Sequence, residues 1–131
     1  MIAPSKYVVL IEDDQAMNYY HQRLFVKQNF ADEVMSYHSA VEALDGIKNL
    51  QQVARLYIFL DLNMPQMNGW QFIDELEKIK FDMNTQIKLF VLSSSVNPND
   101  MMKAKQNSVV TDYLSKPLSI ETITNIITTN S

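Results

Sequence analysis

Four acidic side chains and one lysine stand at positions from which they could act together on a phosphoryl group. Glu12, Asp13 and Asp14 follow one apolar run, and Asp61 follows another. Lys116 follows a shorter apolar segment near the carboxyl end of the chain. Carboxylates at close range repel one another, and a hard divalent cation such as Mg²⁺ relieves that repulsion while it keeps ligand positions for phosphate oxygens. A carboxylate such as Asp61 can also attack phosphorus to form an acyl phosphate, with a metal and a lysine neutralising the charge.

Each of these residues also has an ordinary structural explanation. Asp14 taken alone is typical of a helix N-cap, and Asp61 could accept hydrogen bonds from loop amides. Lys116 alone is typical of a solvated surface lysine. Ser93, which follows another apolar run, could hydrogen-bond a phosphoryl oxygen or could be an ordinary polar strand end. The chemical interpretation therefore requires a fold that brings these residues to one edge.

The apolar runs predict five β-strands that alternate with helices. Short unbroken runs are typical of strands buried on both faces, and their alternation with helices indicates an α/β fold, a doubly wound five-stranded parallel sheet with helices on both faces. The predicted strands are Tyr7–Ile11, Glu33–Tyr37, Leu56–Leu60, Ile87–Leu92 and Thr111–Leu114. Ligands of such sheets bind beyond the carboxyl ends of the strands, so the polar residues above are predicted to share that edge.

Caps and apolar spacing predict the helices. Asp14, Ser39 and Asn97, which precedes Pro98, have the pattern of N-caps. The residues predicted to line the buried helix faces are Met17, Tyr20, Leu24 and Phe25 in the first helix, Val41, Leu44 and Ile47 in the second, Phe72, Ile73, Leu76 and Ile79 in the third, and Ile120, Ile123, Ile126 and Ile127 in the last. His21 lacks a partner at metal-ligand spacing, so a surface or packing role is predicted for it.

The composition excludes several classes of function. The 131 residues predict one domain over residues 1–131, with a core from about 6 to 128 and no output domain. The net charge is −4 and the basic residues are scattered, which argues against a nucleic-acid partner. The lack of cysteine excludes thiolate nucleophiles and cysteine-ligated zinc, and two glycines are too few for a glycine-rich nucleotide loop. No apolar stretch has the ~20 residues of a membrane span and no secretory signal is recognisable, so a cytoplasmic location and no membrane contact are expected.

Four segments, in this order and at these distances, resemble the receiver domain of two-component response regulators. The segments are Ile11-Glu12-Asp13-Asp14, Leu60-Asp61-Leu62-Asn63-Met64-Pro65 with Asn68-Gly69 after it, Leu92-Ser93-Ser94, and Tyr113-Leu114-Ser115-Lys116-Pro117. The resemblance extends from about Lys6 to Thr128. Each segment is a weak signal alone, but the ordered set is specific. The resemblance implies the flavodoxin-like strand order 2-1-3-4-5.

The resemblance also implies a phosphoacceptor and a Mg²⁺ site. Asp61 would accept the phosphoryl group. Glu12 and Asp13 match the acidic pair of the family, with Asp13 as the direct metal ligand, and Asp61 would be a ligand as well. Asn63 would offer its main-chain carbonyl to the metal.

Three further residues match positions that respond to the phosphoryl group. Ser93 matches the hydroxyl that follows this group on activation, and Lys116 matches the lysine that pairs with it. Tyr113 matches the switch aromatic, whose rotamer reports the active state. The peptide bond before Pro117 is often cis in this family.

The sequence departs from the family pattern at a few positions. Glu12 stands where aspartate is commoner, and its longer side chain could reach the metal through a water molecule. Ser93 lacks the methyl group of threonine. Asn63 and Ser95 occupy the positions that tune the lifetime of the phosphate in this family.

The expected function is that of a single-domain response regulator. A histidine kinase or a histidine phosphotransfer protein would donate the phosphoryl group to Asp61, and the face formed by the fourth helix, fifth strand and fifth helix would contact a downstream protein. The domain would turn over no external substrate and would act as a monomer or a phosphorylation-dependent dimer.

Three alternatives remain open at this stage. One is a receiver-like interaction module that is never phosphorylated. Another is a Mg²⁺-dependent phosphatase with an aspartyl nucleophile, although Asn63 stands where such enzymes usually carry a second aspartate. A flavin-binding protein of similar fold is disfavoured because an acidic loop after the first strand would repel the cofactor phosphate.

Overall fold

Five parallel strands form one sheet with five helices around it in the computed structural model of the chain. The structure describes residues 6–50, 53–64, 66–81, 84–94 and 97–130. Of these, residues 127–130 are described as backbone only. The elements in chain order are β1 Lys6–Ile11, α1 Gln15–Lys27, β2 Glu33–Tyr37, α2 Ala40–Lys48, β3 Arg55–Asp61, α3 Gly69–Glu77, β4 Gln86–Ser93, α4 Pro98–Gln106, β5 Val110–Ser115 and α5 Ile120–Asn130.

The strand order β2-β1-β3-β4-β5 confirms the predicted topology. All four strand pairs are parallel. Ile11 of β1 pairs with Leu60 of β3, and Asp61 at the end of β3 pairs with Leu92 of β4. The carboxyl ends of these three neighbouring strands therefore meet at one edge.

Two apolar layers cover the sheet, one on each face. Val9 and Ile11 of β1 belong to the layer shared with α2, α3 and α4. Val8 and Leu10 belong to the layer shared with α1 and α5. Successive side chains of a strand point to opposite faces, so the unbroken apolar runs supply both layers at once.

The predicted N-caps are confirmed, and a cap at Asn68 was not predicted. Asp14 accepts a hydrogen bond from the backbone of α1, Ser39 from that of α2, and Asn97 from that of α4. Asn68 caps α3 in a reciprocal pair with Gln71. Within the described part of the chain, no helix is long and apolar enough to cross a membrane.

Several predictions of helix burial were wrong. Tyr20, Val41 and Ile120 are 47%, 46% and 49% exposed, so they are not core positions. Ile79 lies beyond the last residue of α3, and the side chain of Ile127 lies outside the described residues.

The composition of α1 explains why Tyr20 was wrongly predicted to be buried. It buries Asn18 and His21 together with Leu24 and Phe25. A helix turns by about 100° per residue, so these four positions form a stripe just as regular as one containing Tyr20. Apolar spacing did not identify this stripe because two of its members are polar.

Candidate functional site

The predicted site residues lie together at the carboxyl edge of the sheet. Asp61 is the last residue of β3, and Ser93 is the last residue of β4. Glu12 follows β1 directly, and Lys116 follows β5 directly. Because β1, β3, β4 and β5 run parallel as neighbours, residues that are far apart in the sequence meet at this edge.

The ammonium group of Lys116 lies beside two buried carboxylates. Its Nζ is 2.8 Å from Oε1 of Glu12 and 3.4 Å from Oδ1 of Asp61. The alternation of strand side chains accounts for this meeting. Asp61 is two residues beyond Phe59, which packs in the layer of α1 and α5, and residues two apart on a strand share a face.

Glu12, Asp13 and Asp61 form a cluster that fits a divalent cation. One carboxylate oxygen from each lies within 4.8 Å of the others. Glu12 and Asp61 are buried, whereas Asp13 is exposed and opens the cluster to solvent. When all three carboxylates are ionised, the one ammonium group leaves two negative charges uncompensated. Hard oxygen donors in this number and with this charge fit Mg²⁺.

Burial and the neighbouring charges shift the pKa values of Glu12 and Lys116. Burial raises the pKa of Glu12 to about 7; the hydrogen bond from Lys116 opposes this change, and the neighbouring Asp61 adds to it. Burial acts to lower the pKa of Lys116, but the hydrogen bond with Glu12 and the charge of Asp61 together raise that pKa above its ordinary value. The lysine therefore stays charged, and its one ammonium group lies beside both the Glu12 and the Asp61 carboxyl groups.

Backbone amides hold the two acidic loops in place. The N–H of Asp14 donates to Oε2 of Glu12 at 3.3 Å, and the N–H of Asn63 donates to Oδ1 of Asp61 at 3.3 Å. Asp14 itself caps α1 through the N–H of Met17. The side chain of Asp14 thus has a structural partner, whereas that of Asp13 belongs to the acidic cluster.

Close packing of α3 sets the position of the loop that follows Asp61. The N–H of Gly69 donates to the carbonyl of Leu62 at 3.0 Å. A Cβ atom at Gly69 would lie 2.9 Å from Cα of Leu62 and 3.3 Å from the carbonyl oxygen of Asp61. Glycine is therefore required here by the close approach of two backbones.

Two buried polar residues of α1 contact the site loops, and neither contact was predicted. The side-chain amide of Asn18 donates to the carbonyl oxygens of Glu12 and Tyr37, at 3.3 and 3.1 Å. Nε2 of His21 accepts a hydrogen bond from the N–H of Leu118 at 3.0 Å. His21 has the predicted packing role, but it is also a hydrogen-bond partner of the loop that carries the lysine.

The other predicted site residues are located as follows. Tyr113 lies on β5 and is partly buried, with its hydroxyl enclosed and without a hydrogen-bond partner in the described part of the chain. The bond between Lys116 and Pro117 is cis, as the resemblance implied. Pro65 and Ser95 lie outside the described residues.

The profile of the response regulator receiver domain matches residues 8–128 of the chain. The chain belongs to this receiver domain family. Two curated relatives are the sensor histidine kinase CheAY of Helicobacter pylori, 26% identical over 95% of this chain and 15% of that protein, and the hybrid signal transduction histidine kinase D of Dictyostelium discoideum, 29% identical over 87% of this chain and 7% of that protein. Among solved structures, a two-component response regulator from Cytophaga hutchinsonii is 28% identical, with a TM-score of 0.81 over 97% of both chains.

These similarities identify the chain as a receiver domain and indicate the kind of signalling system to which such domains belong. Receiver domains are signalling modules of two-component and phosphorelay systems. The chain spans only 15% and 7% of the two kinases, so the likeness is to one part of each longer protein. The recognised family and the acidic cluster together direct attention to the chemistry of Asp61.

Proposed function

We propose that this receiver domain accepts a phosphoryl group on Asp61 in a Mg²⁺-dependent reaction. The observation that carries the proposal is the position of Asp61, which is 4% exposed, 3.4 Å from the Lys116 ammonium, and part of the acidic cluster with Glu12 and Asp13. This carboxylate has an ammonium group beside it and belongs to a cluster that is open to solvent at Asp13.

The donor is a phosphohistidine of a histidine kinase or of a histidine phosphotransfer protein. A carboxylate oxygen of Asp61 forms a bond to phosphorus as the bond between phosphorus and the imidazole nitrogen breaks, and the imidazole leaves with that electron pair. Mg²⁺ held by Glu12, Asp13, Asp61 and the carbonyl of Asn63 would neutralise charge on the phosphoryl oxygens. Lys116, whose Nζ is 3.4 Å from Oδ1 of Asp61, would contribute a second positive charge.

Phosphorylation changes the face formed by α4, β5 and α5, and it acts through Ser93 and Tyr113. The phosphoryl group adds about −1.5 to −2 charges near neutral pH, which draws Ser93 and Lys116 towards Asp61. Tyr113 lines a cavity of about 290 Å³ between α4 and β5, together with Met101 and Ala104. We place the contact with a downstream protein on the face of α4, β5 and α5, and we place this signalling in the cytoplasm without a nucleic-acid or membrane partner.

Intact-mass measurement after incubation with acetyl phosphate and Mg²⁺ tests the proposal. We expect a gain of one phosphoryl group that is absent in Asp61→Asn and absent when the metal is chelated. Asp45→Asn is the matched control, because Asp45 is an exposed residue of α2 and the substitution makes the same chemical change away from the site.

Two outcomes would contradict the proposal. No mass gain in the unaltered protein at saturating Mg²⁺ would favour an interaction module that is never phosphorylated. Repeated turnover of a small phosphate ester would favour a phosphatase instead.

A dimer that forms only in the phosphorylated sample would identify the oligomeric response.

A further inference from the structure

His21 is a buried titratable residue that the proposed phosphoryl chemistry does not use. It is 1% exposed and lies on the face of α1 that packs against the sheet. Lys116 lies on the same side of the sheet, because it follows Leu114 by two residues and Leu114 packs in the layer of α1 and α5. The histidine and the lysine are therefore on the same face of the sheet.

Two hydrogen bonds hold the short segment that carries Lys116. On one side, the N–H of Lys116 itself donates to the carbonyl of Ser93 at 2.8 Å. On the other, the N–H of Leu118 donates to Nε2 of His21 at 3.0 Å. Leu118 is 1% exposed, so no solvent is available to replace this acceptor, and buried backbone donors are almost always paired. The path from one anchor to the other is only three residues long.

The same helix also holds the partner of the lysine. Asn18, one turn before His21 on α1, donates to the carbonyl oxygen of Glu12 at 3.3 Å. Glu12 in turn accepts from Lys116 at 2.8 Å. One helix thus anchors the backbones beside both members of the ion pair.

We propose that His21 is a positioning residue for phosphoryl transfer: its acceptor nitrogen holds the backbone of Leu118 and so keeps the Lys116 ammonium between Glu12 and Asp61. The inference rests on the proposed role of Asp61 as phosphoacceptor. Burial, with the positive charge of Lys116, lowers the pKa of His21 to about 4, so the imidazole is neutral near pH 7 and its Nε2 is free to accept. An apolar side chain of similar size would fill the space without holding the loop.

Two variants separate the acceptor from the packing. In His21→Gln, the amide oxygen lies the same number of bonds from Cβ as Nε2 does, so the acceptor is kept. In His21→Leu it is lost. Leu24→Ala is the control for general destabilisation, because it removes buried methyl groups from the same helix and the same core layer while it keeps the acceptor of His21. All proteins are measured at a temperature at which circular dichroism shows them folded.

The first measurement reports the lysine directly. An ion-paired ammonium that is shielded from water exchanges its protons slowly and gives an ¹⁵N-correlated NMR signal, which is assigned by its absence in Lys116→Arg. We expect this signal in the unaltered protein, in His21→Gln and in Leu24→Ala, and we expect its loss in His21→Leu. Its persistence in His21→Leu would overturn the proposal.

The second measurement is the rate of phosphorylation by acetyl phosphate at saturating Mg²⁺. Misplacing a charged group by about an ångström costs tenfold or more in rate, so we expect a fall of about tenfold in His21→Leu and less than about twofold in His21→Gln. Equal slowing in His21→Leu and Leu24→Ala would overturn the proposal. If the unaltered protein is not phosphorylated while the ammonium signal is lost only in His21→Leu, the proposed function fails, and with it the role of His21 in phosphoryl transfer, but His21 still holds Lys116 in place.

A measurement on the unaltered protein covers the case in which His21→Leu does not fold. A hydrogen bond from a backbone N–H to an imidazole nitrogen transmits a ¹⁵N–¹⁵N scalar coupling, which here would join Leu118 to His21. We expect this coupling to be present near pH 7. Its absence from a spectrum in which both nitrogens are assigned would overturn the proposal.

Discussion

At the scale of single residues, the site depends on charges that are buried beside one another. Glu12 and Asp61 are both less than 5% exposed, at 2% and 4%, and they share the ammonium of Lys116. Each charge is tolerated because the others are present, since an unpaired buried charge is strongly unfavourable. The roles of these residues follow from their mutual distances rather than from the properties of any one of them.

Sequence reasoning identified this set but not the residues that support it. The acidic residues and Lys116 could be predicted because each directly follows an apolar strand, and a parallel sheet brings such positions together. Asn18 and His21 could not be predicted in the same way. Their partners are backbone groups of distant loops, and no spacing in the sequence reveals a contact with a backbone group.

His21 should make the protein less stable in mildly acidic solution. Its pKa is lowered from 6.5 to about 4 by burial, so between these pH values the unfolded chain binds a proton that the folded chain does not. The folded state is therefore free of this penalty above about pH 6.5 and loses stability as the pH falls towards 4, by on the order of 3 kcal/mol in all. Urea unfolding of the unaltered protein and of His21→Gln at a series of pH values measures the effect.

The comparison with His21→Gln isolates the histidine from the carboxylates. Glu12 has a raised pKa, so it takes up its proton first in the folded state and acts in the opposite direction. This contribution is common to both proteins and cancels in the difference between their free energies of unfolding. Parallel stability curves from pH 7 to 4 would show that His21 is not held neutral by the fold.

At the scale of secondary structure elements, the strands were easier to predict than the buried helix faces. Each predicted strand ends within one residue of the observed one. The central strands β1 and β3 are marked by unbroken apolar runs because they are covered on both faces. A helix face is specified by fewer residues, and α1 places polar Asn18 and His21 on its buried side while Tyr20 is exposed. The hydrogen bonds made by Nδ2 of Asn18 and Nε2 of His21 offset part of the cost of burying these side chains, although Oδ1 of Asn18 has no partner among the described residues.

Gly69→Ala should destabilise the protein by displacing α3 from the loop after Asp61. The added Cβ would lie 2.9 Å from Cα of Leu62, and a backbone atom cannot move aside without shifting the chain. We expect a loss of about 1–3 kcal/mol in the free energy of unfolding, measured in urea, and slower phosphorylation of Asp61.

Gly46→Ala is the matched control for this substitution. The three atoms nearest to its Cβ would belong to the far end of the Tyr37 side chain, which can shift more easily than a backbone atom. Alanine is also favoured over glycine within a helix such as α2 by about 0.5–1 kcal/mol. We therefore expect a smaller loss of stability than in Gly69→Ala, with an unchanged phosphorylation rate. An equal or larger loss in Gly46→Ala would contradict the explanation by backbone contact.

At the scale of the whole molecule, the fold concentrates negative charge at one edge of the sheet. The chain has a net charge of −4, and the three carboxylates of the acidic cluster lie within 4.8 Å of one another. The sequence predicted five parallel strands from their alternation with helices, but the order in which they pair came from the resemblance alone. Without that order, the parallel sheet predicts that the strand ends share one edge but not which of them are neighbours.

Mg²⁺ should stabilise the folded protein through this cluster. A cation that binds only the folded state adds about 1.4 kcal/mol to the free energy of unfolding at ten times its dissociation constant. We expect the thermal midpoint to rise with Mg²⁺ and to return to its starting value when the metal is chelated. Differential scanning calorimetry measures both changes.

Two neighbouring variants make this prediction specific. Asp13→Asn should abolish the response to Mg²⁺, because it removes the exposed carboxylate of the cluster. Asp14→Asn should keep it, because asparagine caps a helix as well as aspartate does and Asp14 is engaged with the N–H of Met17. A similar loss of response in both variants would indicate diffuse attraction of the cation rather than a defined site.

The bond between Lys116 and Glu12 joins positions 104 residues apart, one beside the first strand and the other just after the last. The pocket therefore cannot exist until the ribosome has released both of these segments of the domain. A nascent chain or a proteolytic fragment that lacks either segment cannot assemble the pocket.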